Sequence, residues 1–144
     1  MGESMRVLCI GSRGSDLSEE VIRNTGNTPN TIFPVIVGVE YTVRGILLGT
    51  NGRLNVMVLG GHGWPTWFPI ELFVVVDGEL PSGWEFTEID SGGGSVRALW
   101  GYPTLIRDTR HLDDLSDRKK PAREAFLRES GVSGWDEETR RFIE

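Results

Sequence analysis

The chain has 144 residues, of which 38% are hydrophobic and 25% are charged, and its formal net charge is −6. This length suits one domain with an adequate core, and the single cysteine excludes a disulfide framework and a cysteine-rich zinc site. The acidic balance disfavours nucleic-acid and anionic-membrane binders, and no apolar run approaches the roughly 20 residues that span a bilayer.

The N-terminal part predicts one short strand followed by a long connection. Residues 7–10 are apolar and read as a strand, whereas residues 1–4 precede a second methionine and are left out of the predicted fold. Residues 12–34 are polar and rich in Gly, Asn, Thr and Ser, apart from a helix-like stretch at 19–23. We therefore expect a surface connection there.

The centre of the chain carries the clearest strand signals. Residues 39–48 begin with an alternation of apolar and polar side chains, which is typical of a half-buried strand. Asn51-Gly52 follows, and this dipeptide between apolar runs indicates a tight hairpin to a return strand at 54–59. A glycine-rich loop at 60–63 then leads to Trp67-Phe68-Pro69 and to further strands, which we predict at 72–76, 84–89 and 96–100.

Beyond Trp100 the pattern changes to helix. Pro103 suits a first helical turn, and Pro121 starts a further helix that Gly131 ends. Asp136 is positioned to cap a last short helix. The predicted fold class is mainly β with C-terminal helices (α+β), in one domain over residues 1–144: a β-rich body at 5–100 and a helical C-terminal extension at 101–144.

Three central segments, at residues 41–46, 67–73 and 75–84, carry a recognisable pattern. It resembles that of a group of small bacterial proteins with the signature YxVxGI…(W/F)YPxxLFxVVDGxLPxxW, and the likeness extends over residues 6–102. Phe68 stands where tyrosine is usual in that group. The resemblance implies a small Src-homology-3-like β-barrel core of about five or six antiparallel strands. It carries no activity over, although small acidic proteins of this kind look similar to immunity proteins of toxin–immunity loci.

The residues suited to catalysis do not form a convincing site. Cys9 lies inside an apolar strand, where cysteine acts as a small core residue, and the flanking glycines explain the loop around His62 without chemistry. His111 precedes Asp113 and Asp114, but a zinc site needs three or four ligands. The glycine-rich segments lack the order of residues that binds phosphate. No catalytic residue, metal ligand or cofactor is therefore predicted.

Aromatic and acidic residues give the strongest functional signal. Aromatic residues beside prolines can form a groove for an extended peptide or anchor an interface, and nearby carboxylates complement a basic partner. The alternative is that Phe68, Trp84 and Trp100 fill the core. The predicted partner-binding residues are Trp64, Trp67, Phe68, Glu71, Asp77 and Glu79.

The leading hypothesis is a cytoplasmic, non-enzymatic protein-binding module with no nucleic-acid or membrane partner. Its most specific form is an immunity-like inhibitor that blocks a cognate toxin by occlusion. One alternative is a small hydrolase or transferase that uses His62 or His111 with nearby carboxylates. Another is a peptide-binding adaptor that uses the aromatic loop. The sequence leaves the oligomeric state open.

Overall fold

The computed structural model describes residues 5–60, 63–89, 96–130, 134–136 and 141–143, the last two ranges by their backbone only. The strands are β1 (Arg6–Cys9), β2 (Glu40–Thr42), β3 (Gly45–Gly49), β4 (Leu54–Leu59), β5 (Pro65–Pro69), β6 (Phe73–Asp77), β7 (Glu85–Glu88), β8 (Val96–Gly101), β9 (Gly134–Asp136) and β10 (Arg141–Ile143). The α-helices are α1 (Glu19–Thr25), α2 (Pro103–Arg107), α3 (His111–Ser116) and α4 (Lys120–Glu129). His62 and the predicted glycine-rich loop at 91–95 lie outside the described residues.

The strands form two open antiparallel sheets and a separate two-stranded hairpin. The larger sheet has the order β5-β4-β3-β8-β7, the smaller has the order β2-β1-β6, and β9 pairs with β10. Neither larger sheet closes on itself in the described ranges. The predicted class, mainly β with C-terminal helices, is confirmed. None of the helices in the described ranges is long and apolar enough to cross a membrane.

The centre of the five-stranded sheet is buried on both faces. Successive side chains of a strand point to opposite faces, and in β4 Val56 and Val58 join one core cluster while Met57 joins another. The first cluster lies between the two sheets and includes Val7 and Phe73, whereas the second lies beneath the C-terminal helices. The molecule therefore has three layers: the small sheet, the large sheet and the helices.

The segment 39–48 was predicted as one strand, and the structure divides it between the two sheets. The division falls at Val43, whose N–H donates to Met5 O (2.8 Å), and at Arg44, whose N–H donates to Met57 O (2.7 Å). Here the chain leaves β2 in the small sheet and enters β3 in the large sheet. The apolar-polar alternation ends at Arg44 and an apolar run follows in β3, but both patterns are typical of strands, so neither predicts a change of sheet.

The end of the chain also differs from its prediction. A last helix capped by Asp136 was expected, but residues 134–136 and 141–143 form an antiparallel pair. The register sets Trp135 opposite Phe142. Aromatic residues favour strands, and this preference accounts for the hairpin better than the capping signal does for a helix.

Candidate protein-docking surface

Trp64, which was predicted to bind a partner, is half-buried against the C-terminal helices. Its Nε1–H donates to the Leu115 carbonyl at 2.8 Å, near the end of α3. The guanidinium carbons of Arg118 and Arg123 lie 5.7 and 5.6 Å from the centre of its ring, within range of a cation–π interaction. In this state Trp64 ties the segment before β5 to the helical layer.

The two other predicted aromatic residues also pack inside the molecule. Trp67 is half-buried against the cluster beneath the helices, and Phe68 is only 1% exposed. The Phe68 ring meets Phe33 and Phe73 edge-to-face, with centroids 6.2 and 6.4 Å apart. These contacts hold the layers together, and a direct contact of Phe68 with a partner would require a change of conformation.

The three predicted carboxylates lie in two different settings. Glu71 is half-buried, and its Oε2 lies 3.1 Å from Arg53 Nη1. Asp77 ends β6, where its Oδ1 accepts the N–H of the exposed Glu79 at 3.0 Å and closes the predicted turn. Of the predicted site residues, therefore, Asp77 and Glu79 lie together on the surface.

Two side chains that were considered for catalysis lie in different cores: Cys9, which was predicted to be a core residue, and His111, which the enzyme alternative uses. Cys9 is buried between the sheets, where burial raises the pKa of its thiol, and its Sγ–H donates to the Gly11 carbonyl at 3.1 Å. His111 is buried beneath the helices, and its Nε2 lies 2.6 Å from Tyr102 Oη. The structure thus does not bring Cys9 and His111 together. Within the described ranges, no three His, Cys, Asp or Glu side chains form a group that could hold a metal ion.

Most of the large hydrophobic residues that are exposed in the described ranges lie on or beside the small sheet. Seven of these ten residues belong to β6 or to segments that follow β6, follow β1 or precede β2: Ile10, Ile36, Val37, Val74, Val75, Val76 and Leu80. We call these residues, together with Asp77 and Glu79, the β6 surface. Contiguous exposed apolar areas commonly mark interaction sites, whereas scattered exposed residues do not.

Backbone hydrogen bonds place the segment before β2 beside the end of β1. Gly38 N–H donates to the Cys9 carbonyl at 2.9 Å, and Cys9 N–H donates to the Val39 carbonyl at 3.0 Å. This places Ile36 and Val37 close to Ile10. On the other side of β1, Val74 is the register partner of Leu8, so both side chains point to the outer face of the sheet.

Strand β6 lies at an edge of its sheet and has β1 as its strand partner. Its three valines are each about half exposed, at 45, 51 and 48% for Val74, Val75 and Val76. Since neighbouring side chains point to opposite faces, both faces of the strand are accessible here. A register shift opposite Arg6 and Val7 places a bulge at Val76, and the strand is regular before it.

The other three edges of the two larger sheets are protected against pairing. Strand β5 begins and ends with proline, and β2 has only three residues. Strand β7 carries Glu85 and Glu88, which are paired with Arg107 and Arg97. Prolines, short strands and charges are the usual means by which proteins prevent edge pairing. Of the four edge strands, β6 alone has consecutive apolar side chains that are exposed.

Negatively charged side chains outnumber positively charged ones near the β6 edge. Arg6, the register partner of Asp77, has its guanidinium 3.2 Å from Glu40. In the described part of the chain, no basic side chain lies within ion-pair distance of Asp77 or Glu79. The end of β6 therefore has an excess of negative charge.

A cleft of about 340 Å³ lies elsewhere, between β2, the turn before β7 and the start of α2. Two hydrogen bonds occupy polar groups at this cleft, whereas the hydroxyl of Ser130 is buried without a hydrogen-bond partner among the described residues. Arg44 Nη1–H donates to the Ser130 carbonyl at 2.8 Å, and Glu129 accepts the Thr104 N–H at 2.9 Å. The cleft presents no evident catalytic arrangement.

The sequence indicated Asp77 and Glu79 but missed the apolar part of the β6 surface. The sequence contains an uninterrupted run of valines at 74–76, but such a run is as typical of a strand buried on both faces as of an exposed edge strand. The strand order of the small sheet, which places β6 at an edge, distinguishes the exposed strand from the buried one. Comparisons of the chain with protein families, curated proteins and solved structures find no match.

Proposed function

We propose that this protein is a non-enzymatic protein-binding module whose partner docks on the β6 surface. The observation that carries the proposal is the edge strand β6, with three consecutive half-exposed valines beside a further exposed apolar group. A protein that buries this area on binding removes apolar surface from water, which is the main driving force of association.

The most specific form of the proposal is an immunity-like inhibitor that blocks a bacterial toxin by occlusion. Asp77 and Glu79 support it, because carboxylates at the rim of an apolar surface steer a basic partner and suppress acidic ones. Inhibition by occlusion needs no catalytic group in the inhibitor. It needs only a surface that covers the substrate channel of the toxin.

The proposal includes the fold: we propose that the two sheets together form a Src-homology-3-like, barrel-like body. Two features support it: the antiparallel succession of β3, β4 and β5, and the packing of the small sheet over one face of these strands. In this interpretation the β6 edge is an opening in a small barrel-like body, where a ligand strand has access to the backbone.

Site-specific photo-crosslinking in the native bacterium tests the docking surface. Benzoylphenylalanine replaces Val75 in one protein and Ile32 in the control, since Ile32 is also exposed but does not belong to the β6 surface. We expect a protein adduct of defined mass from position 75 and not from position 32. The same adducts from both positions, or none from position 75, would contradict the proposal.

Identification of the adduct by mass spectrometry tests the inhibitor form. We expect a toxin whose growth arrest is relieved by co-expression of the wild-type protein and not by co-expression of the Val75→Lys variant. A partner that causes no growth arrest would leave protein binding in place and exclude the immunity-like form.

A further inference from the structure

We infer that the partner contributes an extended basic segment, which adds to β6 as a fourth strand of the small sheet. This inference rests on the proposed function and specifies how the same surface is used.

The backbone of β6 provides the pairing groups. In the described part of the chain its strand partner is β1, on one side only, and an edge strand presents alternate N–H and C=O groups to its open side. Five residues in extended conformation cover about 17 Å, which suffices for a short added strand. Its inner end is fixed, because Phe73 is 6% exposed and packs in the core between the sheets.

The side chains of β6 favour apolar residues in the added strand. A strand paired with β6 places its own side chains beside Val74 on the outer face and beside Val75 on the other face. Both valines are about half exposed, so each has apolar area left to bury. On the outer face Ile10, which is 51% exposed, lies next to β1 and extends the apolar area.

The charges select a basic segment. Asp77 and Glu79 stand at one end of the strand, and a lysine or arginine of the added segment at that end would meet both carboxylates. A second copy of this chain is disfavoured as the occupant, because each copy carries a formal net charge of −6 and brings the same carboxylates. Charge complementarity thus assigns the edge to a different, basic partner.

The test uses an eight-residue peptide of alternating valine and lysine, with isothermal titration calorimetry and amide hydrogen exchange as readouts. We expect binding together with slower exchange of those amide hydrogens of β6 that point to its open side, while the alternate amides that face β1 should change little. A valine–glutamate peptide of equal length should bind at least about tenfold more weakly. A valine–lysine peptide with N-methylated backbone amides should lose binding, because it lacks the N–H donors of a strand.

Protein variants provide matched controls. Val75→Lys should abolish binding of the valine–lysine peptide, whereas Ile32→Lys, the same change at an exposed site away from β6, should leave it unchanged. The double variant Asp77→Asn/Glu79→Gln should weaken it about tenfold and reduce its dependence on salt. Equal urea midpoints for the variants and the wild type establish that each variant is folded.

Several outcomes would overturn the inference. These are no binding of the valine–lysine peptide at millimolar concentration, unchanged binding of the N-methylated peptide, and equal binding of the valine–glutamate peptide. A dimer in analytical ultracentrifugation that Val75→Lys dissolves would assign the edge to a second copy. If crosslinking from position 75 succeeds while the peptide experiments fail, the proposed function stands and only strand addition is rejected.

Discussion

Tyr102 and His111 form a polar pair inside the core beneath the helices. They are 3 and 2% exposed, and Tyr102 Oη lies 2.6 Å from His111 Nε2. Burial lowers the pKa of His111, and the carboxylates of Asp108, Glu129 and Asp114 oppose this only in part. Burial and Glu129 raise the pKa of Tyr102. The pair is therefore neutral near pH 7, and one hydrogen bond joins the two side chains.

This arrangement makes the stability of the protein depend on pH. The pKa of His111 in the folded protein lies below its value of about 6.5 in the unfolded chain. Below about pH 6.5, therefore, His111 is protonated more readily in the unfolded chain than in the folded protein. The contribution of His111 is complete above the unfolded pKa and is lost as the pH falls. We expect the free energy of unfolding to decrease by at most about 1.4 kcal/mol per pH unit from this residue.

Urea unfolding between pH 7.5 and 5 measures this effect, with His111→Gln as the comparison. The difference between the two pH profiles isolates His111, because His62 is present in both proteins and its contribution cancels. Parallel profiles for the wild type and the variant would show that folding does not lower the pKa of His111.

Trp64 shows why the predicted aromatic site could not be read from its own segment. A tryptophan between glycine and proline in a loop suggests an exposed anchor, and the sequence around it gives no other sign. Its hydrogen-bond partner, the carbonyl of Leu115, is 51 residues away. Residues so distant in sequence meet only through the packing of the helices on the large sheet, which local patterns do not encode.

The connection between β1 and β2 contains a close approach of two turns. Gly14 begins a 3-10 turn, and its N–H donates to the Thr31 carbonyl at 2.8 Å. A Cβ atom at Gly14 would lie 1.7 Å from the Thr28 carbonyl oxygen. That oxygen is part of the backbone and cannot rotate away, so any side chain at position 14 must separate the turns.

Gly14→Ala should therefore destabilise the protein by about 3 kcal/mol, as overpacking in a rigid setting does. Gly83→Ala is the matched control, because a Cβ there meets no atom within 4 Å and the backbone does not require a positive φ. Urea unfolding of both variants gives the comparison. Equal midpoints for the two variants would mean that the turns move apart freely.

The strands and helices were largely predictable, but their arrangement was not. The hairpin between β3 and β4 follows from Asn51-Gly52, and the start of α2 follows from Pro103. The break at Val43 and the position of β6 at an edge depend on which strands become neighbours. The alternation before that break and the apolar run after it are both typical of strands, and a valine run is the same in a central strand as in an edge strand.

The molecule as a whole depends on β4, which contributes to both cores. Val56 and Val58 are 0% exposed on the side of the small sheet, and Met57 is 1% exposed on the side of the helices. Phe126 of α4 is 0% exposed in the core beneath the helices. Damage to one core therefore disturbs the strand that completes the other.

We expect the protein to unfold in one transition, as predicted for a single domain. Phe126→Ala should cost about 3–5 kcal/mol and lower the urea midpoint measured by tryptophan fluorescence and by far-ultraviolet circular dichroism equally. Two separate transitions, with only one shifted by the substitution, would indicate that the helical layer unfolds independently.

The burial of Cys9 gives the chain an internal reporter. It is the only cysteine and is 1% exposed between the two sheets, where its raised pKa keeps the thiol protonated. The thiolate is the nucleophile that attacks a thiol reagent, so labelling requires the sheets to separate and the thiol to lose its proton. The rate at which a thiol reagent modifies the native protein thus measures how often this core opens, without denaturant and without an introduced probe.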